Sequence, residues 1–405
     1  MRSQPLDLDW APADVDIADL WARSGGQWLT APGSPVPGGL VSGVAGVVRF
    51  LDQHGAGLAE RSVADGVGVL AERAAALHLP RATGVSCGAG THLLAASNGW
   101  IAVSLPRADD LELIPAWLQV DASSLDTWHT VAAAVADRPA SEIVARGRLL
   151  GLACSVVGEA AERTDPVLVT HFGHAAPKPL AGIIVVNLAS LWAGPLCADL
   201  LRQMGARVIK VESITRPDGA RLRPPFFEAL HVGQESVALD FGNQSDMQRL
   251  AQLLASADVV IEGSRPRALA QLGIDPSELI PRGPQVWISI TAHGRAAPFA
   301  DWIGFGDDAA AAGGLVTAPP PTFFADAVAD PITGLIAAAT AVQLLASGGR
   351  WLADVALSRA AASMTGGCRI RALGDPVRPT MRRERGGPLP LGGDTESVFR
   401  DLLRI

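Results

Sequence analysis

Asp330 is the acidic residue whose setting most favours chemistry. It stands in ADAVADPITGLIAAATAVQLL (residues 325–345), followed by Pro331 and by Thr333-Gly334 at the head of an apolar run. That places its carboxylate at or just before a helix N-terminus, where free backbone N–H groups and the helix dipole favour an anion. A proline early in the helix fits the same start. A plain N-cap would occupy this position equally well. What sets Asp330 apart is that the chain carries the segment twice. GGQWLTAPGSPVPGGLVSGVAGVVRFL (25–51) and GGLVTAPPPTFFADAVADPITGLIAAATAVQLL (313–345) both run from Gly-Gly through Thr-Ala-Pro and a proline-rich loop into an apolar helix. Aligning Gly43 with Gly334 puts Gly39 opposite Asp330, so an acid that works chemically leaves the chain with one working copy and one scaffold copy.

Other residues could assist. Asp307 and Asp308 in DWIGFGDDAAAAGGL (301–315) could supply a second carboxylate, although a solvated pair is the better expectation, and His293 reads as a solvent-facing or hydrogen-bonded loop histidine. Basic residues gather in RPDGARLRPP (216–225), SRPR (264–267) and RPTMRRERGG (378–387). Each could be a solvated loop or could meet a phosphorylated small ligand, for which arginine is the best partner. In CGAG (87–90), Gly88 and Gly90 would let backbone amides approach an oxyanion, or simply form a turn.

Composition narrows the classes. A net charge of -8 argues against nucleic acid, which needs clustered basic surface to displace counterions. With 405 residues and 48% hydrophobic content, two domains are expected. No run reaches about 18 uninterrupted apolar residues and the first residues lack signal-peptide character, so no membrane and a cytoplasmic location are the expectations. The four cysteines, Cys87, Cys154, Cys197 and Cys368, are widely spaced without CxxC, which predicts no metal site, no disulfide framework and four small buried hydrophobes.

The positioning elements are clearest mid-chain. IIVVNL (183–188) reads as a buried strand, LCADLLRQMG (196–205) as a helix with a glycine stop, and RVIKVE (207–212) as a second strand, a βαβ unit. The alternation continues through SVALDF (236–241), a helix over 244–256, DVVIEG (258–263), a helix near 268–272 and QVWISIT (285–291). This predicts an α/β class with a Rossmann-like parallel sheet covered by helices on both faces. The first turn, ASLWAGP, lacks the glycines of GxGxxG, and Trp192 would crowd a pyrophosphate, so no NAD or flavin is expected.

The run VVNLASLWAGPLCADLLRQMGARVIKVESITRPDGAR (185–221) resembles the opening of the class III CoA-transferases, the group of formyl-CoA transferase, carnitine CoA-transferase and α-methylacyl-CoA racemase. SRPRALAQLGID (264–275), VWISITAHG (286–294) and above all 325–345 resemble later segments, the last carrying the family's catalytic aspartate at Asp330. The resemblance implies coenzyme A as substrate, an aspartyl anhydride and thioester intermediate, and a small carboxylic acid as acceptor. It implies CoA contacts at Leu191, Trp192 and Ala193, with Arg216, Arg221, Arg265 and Arg267 as phosphate candidates and Gly88 and Gly90 as a loop over the aspartate. A family arginine near the fifth strand falls on Gln285, and the racemase histidine on Phe305 or Gly306, which favours transfer over racemisation. Isomerase or dehydratase chemistry and a non-catalytic scaffold are the alternatives.

Chain order departs from the family. A helical segment resembling the back of a large domain (1–80) and a small α+β domain (81–175) precede the large α/β domain with its C-terminal helix (176–405), as in a truncated tandem. Family members are interlocked homodimers, so Gly88 would face Asp330 either across two chains or within one.

Overall fold

A computed structural model describes residues 3–8, 10–58, 66–120, 127–371, 375–382, 387 and 389–403. Among the described residues thirteen strands fall in chain order: β1 (Gln4–Pro5), β2 (Val36–Pro37), β3 (Thr91–Ala96), β4 (Gly99–Ser104), β5 (Ala153–Val156), β6 (Val167–Gly173), β7 (Ile184–Asn187), β8 (Arg207–Ser213), β9 (Glu235–Leu239), β10 (Val259–Glu262), β11 (Val286–Thr291), β12 (Arg350–Ala356) and β13 (Arg369–Ile370). Eight form one sheet in the order β1-β6-β12-β11-β10-β7-β8-β9. The six from β12 to β9 are parallel, and β6 lies antiparallel on β12. β-branched runs such as Ile184–Asn187 and Val259–Glu262 suit a sheet buried on both faces.

The strand order reverses between β7 and β10, where successive strands proceed to opposite sides. Doubly wound sheets leave a crevice outside the carboxyl ends of their strands at such a point. Helices Ala193–Gln203 and Ala329–Ser347 pack together on one face. Gly334 makes their approach possible, since a Cβ there would lie 2.7 Å from the carbonyl oxygen of Ala193. The helix Ala329–Ser347 is long and apolar enough to span a membrane, yet most of it is buried, as a central core helix must be.

The second unit is antiparallel β3-β4-β5 backed by short helices, with Ile101, Val103, Trp117, Ile143 and Val144 in its core. The helix Gly306–Ala312 joins the units. It packs on β4 and β5, and Gly158 and Ala160 donate backbone hydrogen bonds to the carbonyls of Ala311 and Ala312. The α+β character of this unit is as expected, but its boundary is not at 175. β6 hydrogen-bonds to β12 and so belongs to the large sheet, as does β1 at its edge.

The first copy of the repeated segment places its helix, Gly38–Gln53, against Ala329–Ser347. Gly39 donates its N–H to the carbonyl of Gly366 at 2.7 Å, and a Cβ there would lie 2.6 Å from that oxygen.

Candidate active site

Asp330 is the second residue of its helix, one turn-step inside the cap that the sequence suggested. Its N–H donates to the carbonyl of Ala327 at 2.9 Å. The loop before it is strained: Ala325 and Ala327 have φ of 50° and 43°, a region that side chains disfavour. Such strain persists only where surroundings over-determine it. Here they do so from the first ninety residues. Ala325 N–H donates to Thr30 Oγ1 at 3.1 Å, Cys87 Sγ donates to Ala325 O at 3.2 Å, and Arg73 donates to both oxygens of buried Asp326, Nε at 2.9 Å and Nη2 at 2.5 Å. Thr30 of the first copy, with Arg73 and Cys87 of the stretch that follows it, thus holds the loop that aims Asp330.

Three further carboxylates surround it. Asp307 accepts from Ala327 N–H at 3.0 Å, and Asp308 accepts from Ser104 Oγ and Phe305 N–H, each at 2.8 Å, while its Oδ2 has no hydrogen-bond partner among the described residues. The expectation of a solvated Asp307–Asp308 pair is wrong: both side chains are buried, drawn in because their helix is the wedge between the two units. Burial pushes Asp330 up to about 7, with Arg73 opposing and Asp307, Asp308 and Asp326 adding to the rise. Burial likewise lifts Asp308 to about 7 and Asp307 to about 6, the latter aided by Asp326 and opposed by Arg73. Four carboxylates around one guanidinium cannot all ionise without large repulsion.

Gly306 is the steric key to the orientation of Asp330. A Cβ there would lie 2.8 Å from Asp330 Cγ and closer still to Oδ2 and to the carbonyl oxygen of Ala327. No side chain fits at Gly306, one of the two positions matching the racemase histidine, and the other holds Phe305, which lines both cavities at Asp330. His293 does not replace it. It is buried rather than solvent-facing, lies edge-on to Trp302, and burial with the nearby Arg148 and Arg163 depresses it to about 3.

Two cavities meet at Asp330. One, about 320 Å³, lies in the crevice and is walled by the turn after β7 (Ala189, Leu191, Ala193), by Ser264 and Arg265 after β10 and by Thr291 and Ala292 after β11, with Arg107 reaching in from the small unit. It shares Arg107, Arg265, Trp302 and Ile303 with an outer cleft of about 970 Å³ between the units, which Arg267 also lines. Burial lowers Arg265, and the neighbouring Arg267 lowers it further while Asp301 opposes. The other cavity, about 290 Å³, lies between Gly88, Gly90 and Ser104 of one unit and Trp192 and Phe226 of the other, with Arg73, Arg223 and Asp307 on its walls. Gly88 and Gly90 therefore face Asp330 within one chain.

The first turn is pinned from below. Leu191 has φ 71° and donates its N–H to Asp218 Oδ1 at 3.0 Å, and Lys210 joins Ala189 O to Asp218 Oδ2 at 2.9 Å. Trp192 is buried, with Phe226 at 5.2 Å and the Arg73 guanidinium 5.4 Å above its ring, and walls the second cavity. Leu191 is 43% exposed at the junction of both cavities.

The basic cluster at 216–225 sorts differently from expectation. Arg221 is spent on a bidentate pair with Glu212, at 2.8 and 2.6 Å, and on Leu389 O, while Arg216 is exposed and walls neither cavity at Asp330. The arginine of the cluster that lines a cavity at Asp330 is Arg223, beside Gly219 and Ala220 of the same run. Arg267 is paired with Asp301 at 3.4 Å, at the surface. Gln285 is buried at the start of β11, at the end of the sheet away from the crevice, so it occupies no ligand position. Cys87, Cys154 and Cys197 are buried as expected, whereas Cys368 is exposed. No group of three or more metal-ligating side chains forms among the described residues.

The chain is similar to known proteins over part of its length. The succinate–glutarate CoA-transferase of Agrobacterium fabrum is 33% identical over 142 residues, 31% of this chain and 36% of that protein. The succinyl-CoA–D-citramalate CoA-transferase of Chloroflexus aurantiacus is 29% identical over 183 residues, 42% of this chain and 46% of that protein. A CaiB/BaiF family protein from Brucella suis, of known crystal structure, is 30% identical with a TM-score of 0.42, over 46% of this chain and 55% of its own. The chain spans less than half the length of these curated relatives. The sequence model of CoA-transferase family III matches residues 180–386, just over half of the chain. That stretch holds the crevice turn, Arg265, Gly306 and Asp330 together, and by it the chain belongs to CoA-transferase family III.

Proposed function

We propose that this protein moves CoA from an acyl-CoA to a carboxylic acid, with Asp330 as the covalent carrier. One observation carries the reading: the Asp330 carboxylate stands where an arginine-lined crevice meets a second cavity, beside a glycine that leaves room for it. A CoA thioester reaching from the outer cleft would set its phosphates by Arg107, Arg265 and Arg267 and its acyl group beside Asp330.

The steps balance without any further reactant. Asp330 carboxylate attacks the thioester carbonyl, the carbon–sulfur bond breaks, and CoA thiolate leaves behind a mixed anhydride. The thiolate attacks the Asp330 carbonyl carbon of that anhydride, forming an aspartyl-CoA thioester and releasing the donor acid as carboxylate. An acceptor carboxylate attacks the aspartyl thioester, giving a new anhydride and thiolate, and the thiolate takes the acceptor acyl group, regenerating Asp330. Each tetrahedral centre puts negative charge on an oxygen. The turn at Gly88 and Gly90 supports this, because glycine lets a backbone N–H come close. Burial of the carboxylate raises its basicity, and so its nucleophilicity, at the cost of keeping part of it protonated near pH 7.

Incubation with a panel of acyl-CoAs followed by hydroxylamine should give a mass change on the peptide carrying Asp330, and none in Asp330→Ala. An adduct that persists in Asp330→Ala, or no adduct with any donor, would overturn the proposal.

A further inference from the structure

We infer that Arg295 is a positioning residue: acting through Glu262, it fixes the turn that presents the Arg265 guanidinium to an anionic ligand in the crevice. The inference rests on the CoA-transfer reading for the identity of that anion, a CoA phosphate. Arg295 itself walls neither cavity at Asp330 nor the outer cleft.

Strand register sets up the contact. Glu262, Ser289 and Asp354 stand at one level across β10, β11 and β12, Glu262 paired with Ser289 and Ser289 with Asp354. Glu262 is the last residue of β10 and is wholly buried, a place where a carboxylate persists only with partners of its own. Its Oε2 accepts the Ser264 N–H at 2.7 Å, and its Oε1 accepts Ser289 Oγ at 2.5 Å and Arg295 Nη1 at 3.1 Å. The same Nη1 donates to Ser289 Oγ at 2.7 Å. Among the described residues Arg295 is the one ion-pair partner of Glu262. On its other side Arg295 is held by its own backbone N–H, which donates to Asp354 Oδ2 at 3.0 Å, and Asp354 also accepts Thr291 Oγ1 at 2.9 Å. One residue thus ties the loop after β11 to the strands on both sides of it.

The bond that carries this order to the ligand site is that of Ser264. Its N–H is the backbone donor just before Arg265, whose carbonyl accepts the Ala268 N–H at 2.8 Å as the helix Pro266–Gln271 begins. The chain is thereby fixed on both sides of Arg265, and the side chain of Arg265 walls the crevice and the outer cleft. Arg267 is paired with Asp301, whereas Arg265 makes no ion pair among the described residues, so its charge is open to a ligand. Burial pushes the Glu262 carboxyl up, and Arg295 opposes that rise. Without the guanidinium, Glu262 is a buried carboxyl with neutral donors alone, its protonated form is favoured, and its hold on the Ser264 N–H weakens.

The test is titration calorimetry with CoA on wild type, Arg265→Gln, Arg295→Gln and the double variant, with denaturant unfolding as the check on folding. A charge-assisted hydrogen bond to a guanidinium corresponds to roughly 10- to 100-fold in affinity, so each single variant should bind CoA about tenfold more weakly or worse. Because Arg295 acts through Arg265, the double variant should bind within about threefold of Arg265→Gln. Arg295→Lys, which keeps a cation for Glu262, should lie between wild type and Arg295→Gln. Adduct formation at Asp330 from S-acetylpantetheine, a thioester without phosphates, should stay within about threefold of wild type in Arg295→Gln, while that from subsaturating acetyl-CoA falls with the CoA affinity. Where Arg295→Gln does not fold, Arg295→Lys and Glu262→Gln take its place in the cycle. Unchanged CoA affinity in Arg265→Gln or in folded Arg295→Gln would overturn the inference while leaving CoA transfer standing. Losses that multiply in the double variant, or an equal loss with both thioesters, would overturn it as well, since Arg295 would then serve the fold or Asp330 instead of Arg265. A wild type that does not bind CoA would remove the transfer reading and this inference with it.

Discussion

Gly306→Ala adds one methyl group at the most demanding point of the site. The new carbon would lie 2.8 Å from Asp330 Cγ, where ordinary contacts run 3.4–4 Å, and it would press still harder on Oδ2 and on the Ala327 carbonyl. Neither neighbour yields freely. Ala327 is fixed on both sides, its N–H on Asp307 and its carbonyl on the N–H of Asp330, and its backbone is already strained. The carboxylate must therefore retreat by roughly 1 Å, a displacement that costs about 10²-fold in a positioned reaction. Overpacking should cost about 1–3 kcal/mol of stability, offset slightly because alanine is the better helix former at the first residue of the helix Gly306–Ala312. The assay is the single-turnover rate of aspartyl-CoA formation, alongside denaturant unfolding to show that the variant is folded at the assay temperature. A folded Gly306→Ala protein whose rate stays within threefold of wild type would refute the claim that this glycine sets the position of Asp330.

Four other outcomes follow from the same contacts. Asp308 is held well above its unfolded value, so its folding contribution is present below about pH 4 and is lost as pH rises toward 7 and beyond. Asp308→Asn, which keeps an oxygen for Ser104 and Phe305, should be no more stable than wild type at pH 4.5 and more stable at pH 8, by up to about 4 kcal/mol in unfolding free energy. Arg73→Met strips the charge partner from buried Asp326 and should destabilise by about 3–5 kcal/mol, visible in denaturant unfolding. Joint replacement of Arg107 and Arg265 by Gln should raise KM for acyl-CoA about tenfold or more and flatten its salt dependence, as measured in steady-state assays across ionic strengths. Mixing chains that carry Gly88→Val with chains that carry Asp330→Ala, after verified subunit exchange, should recover no activity, because Gly88 and Asp330 wall one cavity in one chain.

What could be read from the sequence was whatever local pattern encodes. The strands near the crevice and the helix Gln244–Ser256 come from short-range periodicity and caps, and the structure places them within a few residues of expectation. Asp330 stood out because its flanks occur twice. The partners of Asp330 were hidden because they are distant in the chain: Arg73 meets Asp326 across 253 positions, and Ser104 meets Asp308 across 204. Charge type misled where burial overrides it. Asp307 and Asp308 looked solvated because an exposed acid pair is the common case, and Arg221 looked available because its pairing with Glu212 depends on how the chain turns after β8. Of the arginines in RPDGARLRPP, Arg223 lines the cavity at Asp330, a placement decided by the short turn Gly219–Leu222.

The repeated segment explains why the site needs its first copy although that copy lacks the acid. In the first copy the helix Gly38–Gln53 is kept as packing for Ala329–Ser347, and Val44, Val47 and Val48 belong to the same buried core as Ile332 and Ile336. An aspartate at position 39 has no room, because the backbone of Gly366 fills the space that its Cβ would take and β13 pairs with β2 immediately before it. Position 39 therefore cannot take an acid by one substitution. What the first copy retains is leverage on the second: Thr30, from its Thr-Ala-Pro, and Arg73 and Cys87, from the stretch that follows, grip Ala325 and Asp326 ahead of Asp330. An isolated family-like portion beginning near residue 180 would keep the aspartate and the crevice but lose every one of those grips, leaving Ala325 and Ala327 free to relax from their strained backbone angles. The scaffold copy is therefore part of the reactive geometry of Asp330 itself.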